Sequence, residues 1–447
     1  MLFKEKNLSL YDISPKIVPI GREVTFTLRT IDPHLFRKMP FTLKLYGAND
    51  GLTTPVCESI PYEMLAAPEY GCTFTLTLEK EQQYELYIMY ENTDKRSRGH
   101  VAFYALEDDL LARTPLIGDF HAHTYYSDGK EGPAFVAAEY RKNGYDFTTI
   151  TDHRRFEPSL MATEAFKEFD IPFRVYQGEE VHPEGIVTHI VNFAPDRSTN
   201  AFALLNHPEE NPFSGTPTPE WSEAMEKTLA TLTDLPEGVD AKEVASAMLV
   251  TEHIRKNGGM SILAHPHWVW RTRNVPDQTT RYLLSSGMFD ALELIGGQDW
   301  YENQSQIAFY EQLCREGLEV PIVGSSDQHS TLPKGLTDDT ITHFTEERTL
   351  VLATGNTREE IVDAIKGHYT VAIQKFTGQY PIVAGGSYRL KQYALFLLRE
   401  YLPLRDELYF TEGRLLHEAL AGVPGAKEQL HATVKYHAYF EDKYILR

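Results

Sequence analysis

Residues 16 to about 108 alternate apolar and polar positions with period two, Val24, Phe26 and Leu28 standing against Thr25, Thr27 and Arg29. The same alternation recurs at Phe41-Leu43-Leu45, Phe74-Leu76-Leu78 and Tyr84-Leu86-Ile88-Tyr90, punctuated by the turn-forming Asn49-Asp50-Gly51 and by Gly71. No amphipathic helix interrupts these runs, so residues 1–110 are predicted to form a small antiparallel β-sandwich. Nothing in this region has catalytic character. It reads as a lid or dimerisation domain, with a ligand-binding module as the alternative.

From Pro115 the pattern changes to short apolar strands alternating with helical stretches, the mark of parallel βα units. Strands are predicted at Leu116–Phe120, Phe147–Ile150, Phe173–Tyr176, His189–Phe193, Met260–Ala264, Ala291–Ile295, Pro321–Val323 and Thr349–Ala353. Helices are predicted over 133–143, ended by Gly144, and over 240–257, where Asp240 and Glu243 can form a capping box and Gly258 can terminate. Eight such units favour a barrel over an open sheet, and residues 111–374 are assigned to it. The stretch between Phe193 and Met260 is too long for an ordinary crossover, which predicts an inserted cap at about 195–255. A helix at Thr357–Lys366, with Thr357 and Glu360 as its capping box, leads to a last strand at Tyr369–Ile373. Beyond it, 375–447 is expected to be a helical C-terminal extension, with Leu390, Tyr393, Ala394, Leu397, Leu398 and Tyr401 forming a core-facing stripe.

Composition narrows the functions open to this chain. The 447 residues are 42% hydrophobic and 24% charged, ordinary globular usage that excludes wholesale disorder. Lys and Arg number 43 against 64 Asp and Glu, a formal charge of −21 that disfavours long nucleic acid as a partner. Three cysteines, Cys57, Cys72 and Cys314, are too few for a disulfide scaffold and lack metal-binding spacing, so a reducing compartment is expected; a Cys57–Cys72 bridge is the minority alternative. The segment Met1–Ser14 has no apolar run of signal type, and no stretch reaches the ~18 apolar residues of a membrane span. The expectation is a soluble cytoplasmic protein.

The chemistry is carried at the strand ends. Nearly every strand-like run is followed by residues of metal-ligand type: His121-Ala122-His123, Asp128, Asp152-His153, Gly178-Glu179-Glu180, His189, His265-Pro266-His267 and Asp327-Gln328-His329. In a barrel these ends share one rim, so residues far apart in sequence converge. A His-x-His pair in extended backbone puts both imidazoles on one side, and Asp327 and His329 repeat that spacing. A lone strand histidine is more often a hydrogen-bonded structural residue. So many acidic and basic groups in one pocket are satisfied together by divalent ions far more readily than by one another.

The motifs His121-Ala122-His123 with Ser127-Asp128-Gly129, Thr151-Asp152-His153, Gly178-Glu179-Glu180, Ala264-His265-Pro266 and Ser326-Asp327-Gln328-His329, in that order, resemble the polymerase and histidinol phosphatase (PHP) metallohydrolase superfamily. Gly118-Asp119-Phe120 and the N-terminal β region make the chain most similar to the CehA/McbA-like branch. The resemblance spans about 115–374. It implies a distorted (β/α)7 barrel, which leaves one of the eight candidate strands outside, and two or three divalent ions, Zn, Mn or Fe. By the family pattern His121, His123, Glu180 and Asp327 hold the first ion; Glu180, His189 and His265 the second; Asp128, His153 and His329 the third. Glu179 competes with Glu180, although strand alternation lets only one face the pocket, and His182 or His207 competes with His189. The chemistry expected is hydrolysis by a metal-activated hydroxide. Asp152 and Asp119 are expected to orient ligands or accept protons, although Asp152 serves equally well as a cap for the turn after its strand.

Basic residues follow three of these motifs: Arg154 and Arg155, Arg271 and Arg273, and Lys334. Guanidinium groups match phosphate oxygens, so a small anionic substrate, a nucleotide or sugar phosphate, is the leading expectation, with ordinary loop ion pairs as the alternative. Trp268, Trp270 and Trp300 offer flat surfaces for a base, sugar or aryl group, of which at most one is expected to touch substrate. Hydrolysis of carbamate or carboxylic esters is the second enzymatic reading. A non-catalytic binding protein on a PHP scaffold is the third, and the full set of ligand positions counts against it.

Overall fold

The computed structural model describes residues 10–30, 41–51, 53–66, 69–90, 99–207, 213–331, 347–375 and 380–447. The chain forms two compact units, one of residues 1–114, 388–408 and 432–447, the other of 115–387 and 409–431. Among the described residues no helix is long and apolar enough to cross a membrane.

In the first unit the strands are β1 (Tyr11–Ser14), β2 (Ile17–Pro19), β3 (Glu23–Thr30), β4 (Phe41–Gly47), β5 (Cys57–Ile60), β6 (Glu63–Met64), β7 (Gly71–Thr77), β8 (Gln82–Tyr90) and β9 (Gly99–Leu106). They form two sheets, ordered β1-β3-β7-β6 and β2-β9-β8-β4-β5. The pairings within them are antiparallel except that of β2 with β9. Period-two alternation supplies the shared core: Phe26 of one sheet lies 5.3 Å from Phe74 beside it and 4.6 Å from Phe103 of the other. Gly71 is required where it stands, because a Cβ there would lie 2.1 Å from the carbonyl oxygen of Leu28.

The C-terminal helices do not stand apart as an extension. The helix Tyr388–Phe396 and the π-helical turn Leu397–Tyr401 bury all six residues of the Leu/Tyr stripe. Their partner is the sheet, with Tyr104 of β9 5.1 Å from Tyr393 and 5.3 Å from Phe396. The chain end follows, since the Lys16 amide donates to the Tyr444 carbonyl and the Leu446 amide to that of Ile17.

In the second unit the strands are β10 (Thr114–Asp119), β11 (Phe147–Thr149), β12 (Arg174–Tyr176), β13 (Gly178–Val181), β14 (Ile190–Phe193), β15 (Leu204–Asn206), β16 (Gly215–Pro217), β17 (Met260–Leu263), β18 (Val269–Trp270), β19 (Thr272–Arg273), β20 (Ala291–Ile295), β21 (Ile322–Gly324), β22 (Glu347–Ala353), β23 (Thr370–Gln374) and β24 (Ile382–Ala384). This is mixed α/β structure in which the predicted strands recur within a residue or two. It is not one closed sheet. A six-stranded sheet, β12-β11-β10-β22-β23-β24, and a five-stranded one, β13-β14-β17-β20-β21, meet through isolated parallel bridges at Ala122–Gln328 and His153–Glu180. Between them lie Phe120, Phe147, Val191, Phe193, Ile262 and Val323.

Strand direction also departs from the all-parallel expectation. β14 runs antiparallel to both β13 and β17, and β23 antiparallel to β22 and β24. The cause is local: the chain passes from β12 to β13 across Gln177 alone and returns as β14 with no intervening helix to carry it back.

The predicted cap is only partly a separate insertion. The helix Ala241–Lys256 buries Val244, Ala247, Val250 and Ile254 in the core that also holds Leu263 and Leu292. The outlying part is the β15–β16 hairpin and the helix Pro219–Thr231, which buries only Trp221. Asp240 caps the first of these helices by accepting from the Lys242 and Glu243 amides. Glu243 does not complete a capping box; its carboxylate accepts from the Val187 and Thr188 amides instead and anchors the loop before His189. At Thr357 and Glu360 the predicted box is formed.

Candidate metal centre

The backbone beyond β10 stays extended through Ala122, which bridges to Gln328, and the His123 amide donates to the Gln328 carbonyl. His121 and His123 therefore point to one side, with ring centroids 5.1 Å apart. Beyond β21, Asp327 adopts φ 46°, and beyond β17, His265 adopts φ 24°. Left-handed backbone at two non-glycine residues costs roughly 1–3 kcal/mol each and is typical of functional sites, where surrounding structure holds it in place. His189 reaches the same rim because β14 is reversed: its first residues, not its last, lie beside the end of β13.

At the centre stands Glu180, fully buried, with five imidazoles around its two oxygens. His153 Nδ1 and His189 Nδ1 are each 2.7 Å away, His121 Nε2 3.2 Å, His265 Nε2 3.4 Å and His123 Nε2 3.5 Å. Asp327 sits opposite, 2.8 Å from His123 Nε2, 3.3 Å from His121 Nε2 and 3.8 Å from His265 Nε2. Asp128 completes the arrangement at 3.3 Å from His329 Nε2, 3.8 Å from His123 Nδ1 and 3.9 Å from His153 Nε2. All nine residues singled out as ligands come together. They form overlapping groups: His121, His123 and Glu180; His121, His265 and Asp327; His153, Glu180 and His189; His123, Asp128, His153 and His329. This partition differs in detail from the family pattern, since His265 groups with His121 and Asp327 while His153 joins His189 at Glu180.

The donor set fits divalent cations. Both oxygens of Glu180, His121 Nε2, His153 Nδ1, His189 Nδ1, His265 Nδ1 and Asp128 Oδ1 are buried without an aligned hydrogen bond. Buried polar atoms in native proteins are almost always satisfied, so a concentration of orphaned ligand-type atoms at one point marks a place for cations. Burial pushes the Glu180 and Asp327 carboxyls up, but the imidazoles, His153 and His121 foremost, outweigh it and hold both well below the ordinary carboxylate range. Burial likewise opposes charge on His329, yet Asp128 and Asp327 raise it to about 9, while burial dominates at His189 and lowers it to about 4. The site opens on one side: the side chains of Asp128 and His329 are 35% and 23% exposed, whereas Glu180 and His121 are wholly enclosed.

The competing residues separate cleanly. Glu179 faces away and accepts from Asn192 Nδ2, Ser198 Oγ and the Thr199 and Asn200 amides. His207 lies in the β15–β16 hairpin beside Thr216. His182 packs on the cluster, its ring centroid 4.1 Å from that of His189, yet belongs to none of the ligand groups.

The two carboxylates expected to orient ligands or accept protons both hydrogen-bond to ligand-bearing segments. Asp152 accepts from the amides and hydroxyls of both Thr124 and Ser127, which fixes the loop carrying Asp128. Asp119, pushed up to about 6 by burial, accepts from the His121 and Ser326 amides and so ties the first and last ligand segments together.

Two of the basic residues, Arg154 and Arg273, take the alternative of loop contacts. Arg154 is buried and donates to the His182 and Phe213 carbonyls and to Glu184, so it clamps the rim loops. Arg273 pairs with Asp277 and donates to Ser305. Arg155 is half-buried. Arg271 is exposed, with no hydrogen bond or ion pair among the described residues. Lys334 lies outside the described residues. Of the tryptophans, Trp268 is half-buried with its ring 6.0 Å from His265 and 6.4 Å from His189, Trp300 is exposed, and the Trp270 side chain is not described. Phe213 stands against His153 at 5.3 Å.

One participant escapes the strand-end motifs. Glu293, in the middle of β20, is fully buried with Oε2 3.0 Å from His121 Nδ1. The signal available in the sequence was a carboxylate inside the otherwise apolar strand Ala291–Ile295, a position that needs a partner.

No family model matches the chain, and neither does any curated protein. Three solved structures show similarity to the chain. A two-domain protein of Bacteroides vulgatus containing a predicted PHP-like metal-dependent phosphoesterase matches at 17% identity and a TM-score of 0.39, over 58% of this chain and 65% of that one. A Bifidobacterium adolescentis protein named as a metal-dependent phosphoesterase matches at 19% and 0.33, over 51% of this chain and 92% of that one. An amidohydrolase of Chromobacterium violaceum, solved with bound sulfate and no metal, matches at 16% and 0.30, over 51% and 90%.

Proposed function

We propose that this chain is a metal-dependent hydrolase of PHP type that cleaves a phosphate ester of a small molecule. The observation that carries the reading is Glu180, buried with neither oxygen in an aligned hydrogen bond and five imidazoles within 3.5 Å. The two bridges support a distorted seven-stranded ring, β10, β11, β13, β14, β17, β20 and β21, in which the ligand-bearing ends share a rim.

His121, His123, Glu180 and Asp327 would hold one ion, Glu180, His189 and His265 a second, and Asp128, His153 and His329 a third. When bound, such ions supply Lewis acidity at the ester oxygens and a nucleophile from water at neutral pH. The chain's part is to keep Glu180 and Asp327 unprotonated, fix the imidazoles and exclude bulk water around Glu180. Asp152 holds Asp128 in place through the 124–127 loop, and Asp119 holds His121. Substrate enters on the more exposed Asp128–His329 side, and Arg271, exposed beyond the His265 segment, is a candidate guanidinium for a phosphate. The charge of −21 and the enclosed centre suit a small substrate better than a polymer.

A second reading, hydrolysis of a carboxylic or carbamic ester, is favoured by two observations: Arg154 is consumed by loop carbonyls and Glu184, and the aromatic rings of Phe213 and Trp268 stand beside His153 and His265. Metal-loaded protein assayed on phosphate monoesters and on neutral aryl esters separates the two. Preference for the phosphate supports the first reading and preference for the neutral ester the second. Protein that binds no divalent metal and hydrolyses neither class sinks both.

A further inference from the structure

We infer that Glu293 is a positioning residue that fixes two ligands of the centre at once, and this rests on the metal-binding reading above. Its Oε2 is 3.0 Å from His121 Nδ1, and its Oε1 accepts from the His265 amide at 3.2 Å. The other nitrogen of His121, Nε2, faces Glu180 and Asp327. For Nε2 to offer its lone pair to a cation, the ring proton must sit on Nδ1, and a buried N–H there needs an acceptor. Glu293 is that acceptor. Its second oxygen braces His265 at the residue whose backbone is left-handed, and that conformation aims the second imidazole.

The fit is specific to a carboxylate. Both partners donate, so two acceptor oxygens are needed; a carboxamide satisfies one and presents an N–H₂ to the other. Space is provided by Gly296, where a Cβ would lie 2.4 Å from Glu293 Oε1. The strand is held in turn by Gln306, whose amide donates to the Glu293 carbonyl at 2.6 Å. A carboxylate wholly inside an apolar strand, with one oxygen on each of two candidate ligands, has its partners in the centre and none in the core.

The test uses Glu293→Gln and, independently, Gly296→Ala, which retains the carboxylate but displaces it. Metal-free forms are compared by circular dichroism and melting, zinc affinity by chelator competition, ion count by elemental analysis, and ligand geometry by the visible bands of cobalt-loaded protein. Expected for both variants is a folded metal-free protein, zinc affinity weakened about 10- to 100-fold, the range seen for partners of metal-bound histidines, and altered cobalt bands. Affinity within twofold of wild type with unchanged cobalt bands in a folded variant overturns the inference. If Glu293→Gln does not fold, Gly296→Ala decides by the same criteria. Wild-type protein that binds no metal overturns the hydrolase reading instead, an outcome distinguishable because it precedes any variant.

Discussion

His189 Nδ1 lies 2.7 Å from Glu180 Oε1 because β14 runs antiparallel to β13, pairing Ile190 with Val181 and bringing the residue before one strand beside the end of the other. A parallel β14 would put His189 at the opposite edge of the sheet. The whole centre thus depends on a hairpin between residues 181 and 190, stitched by Glu243 to the amides of Val187 and Thr188.

Glu180 belongs to two ligand groups, so its loss is expected to empty more than one position. Glu180→Gln should lower the metal content by more than one ion per chain and activity by more than about 100-fold, beyond what loss of an outer partner costs. Elemental analysis of purified variant and wild type checks this, and equal metal content in the two would contradict the central role of the residue.

Arg154 and Arg271 should behave oppositely. Arg154→Ala removes the hydrogen bonds from the buried guanidinium to the His182 and Phe213 carbonyls and its pairing with Glu184, and should lower the melting temperature. Arg271→Ala should leave melting unchanged and raise KM for an anionic substrate alone. Thermal melts together with KM for charged and neutral esters read both effects; a KM effect confined to Arg154→Ala would reverse the assignment.

The three cysteines are free thiols, and Cys72 is pushed up to about 12 by burial in the β-sandwich core. At pH 8 it stays a thiol and should resist a thiolate-selective reagent, whereas half-buried Cys57 should react. Counting titrated thiols in native and denatured protein tests this: fewer than three react rapidly in the first and all three in the second.

Burial pushes the Glu139 carboxyl up, but His417 Nε2 at 2.6 Å and Lys142 Nζ at 2.8 Å outweigh it and hold it below its ordinary value of 4.5. A carboxyl depressed in the folded state contributes stability above its unfolded pKa and loses it as pH falls through the folded one. The melting-temperature gap between wild type and Glu139→Gln should therefore be full above about pH 5 and close as pH drops below 4.5. A gap that stays constant down to pH 3 would show that the carboxyl is not depressed.

Local periodicity was enough to read the strands, because side-chain direction in a strand depends only on neighbouring residues. That alone placed His121 with His123, excluded one of Glu179 and Glu180, and marked the stripe from Leu390 to Tyr401 as buried. Which glutamate faces the centre, where His265 and His153 fall among the ligand groups, and the reversal of β14 depend on strand direction and on backbone at Asp327 and His265 that no periodicity encodes. The fates of Arg154, Asp152 and Asp119 were decided by donors and acceptors brought in by other loops, and that of Glu293 by a histidine 172 positions away. Sequence fixes which chemical groups are available and which way a strand turns them; only packing determines which partner claims each lone pair, because a buried polar group binds whatever the rest of the chain places within reach.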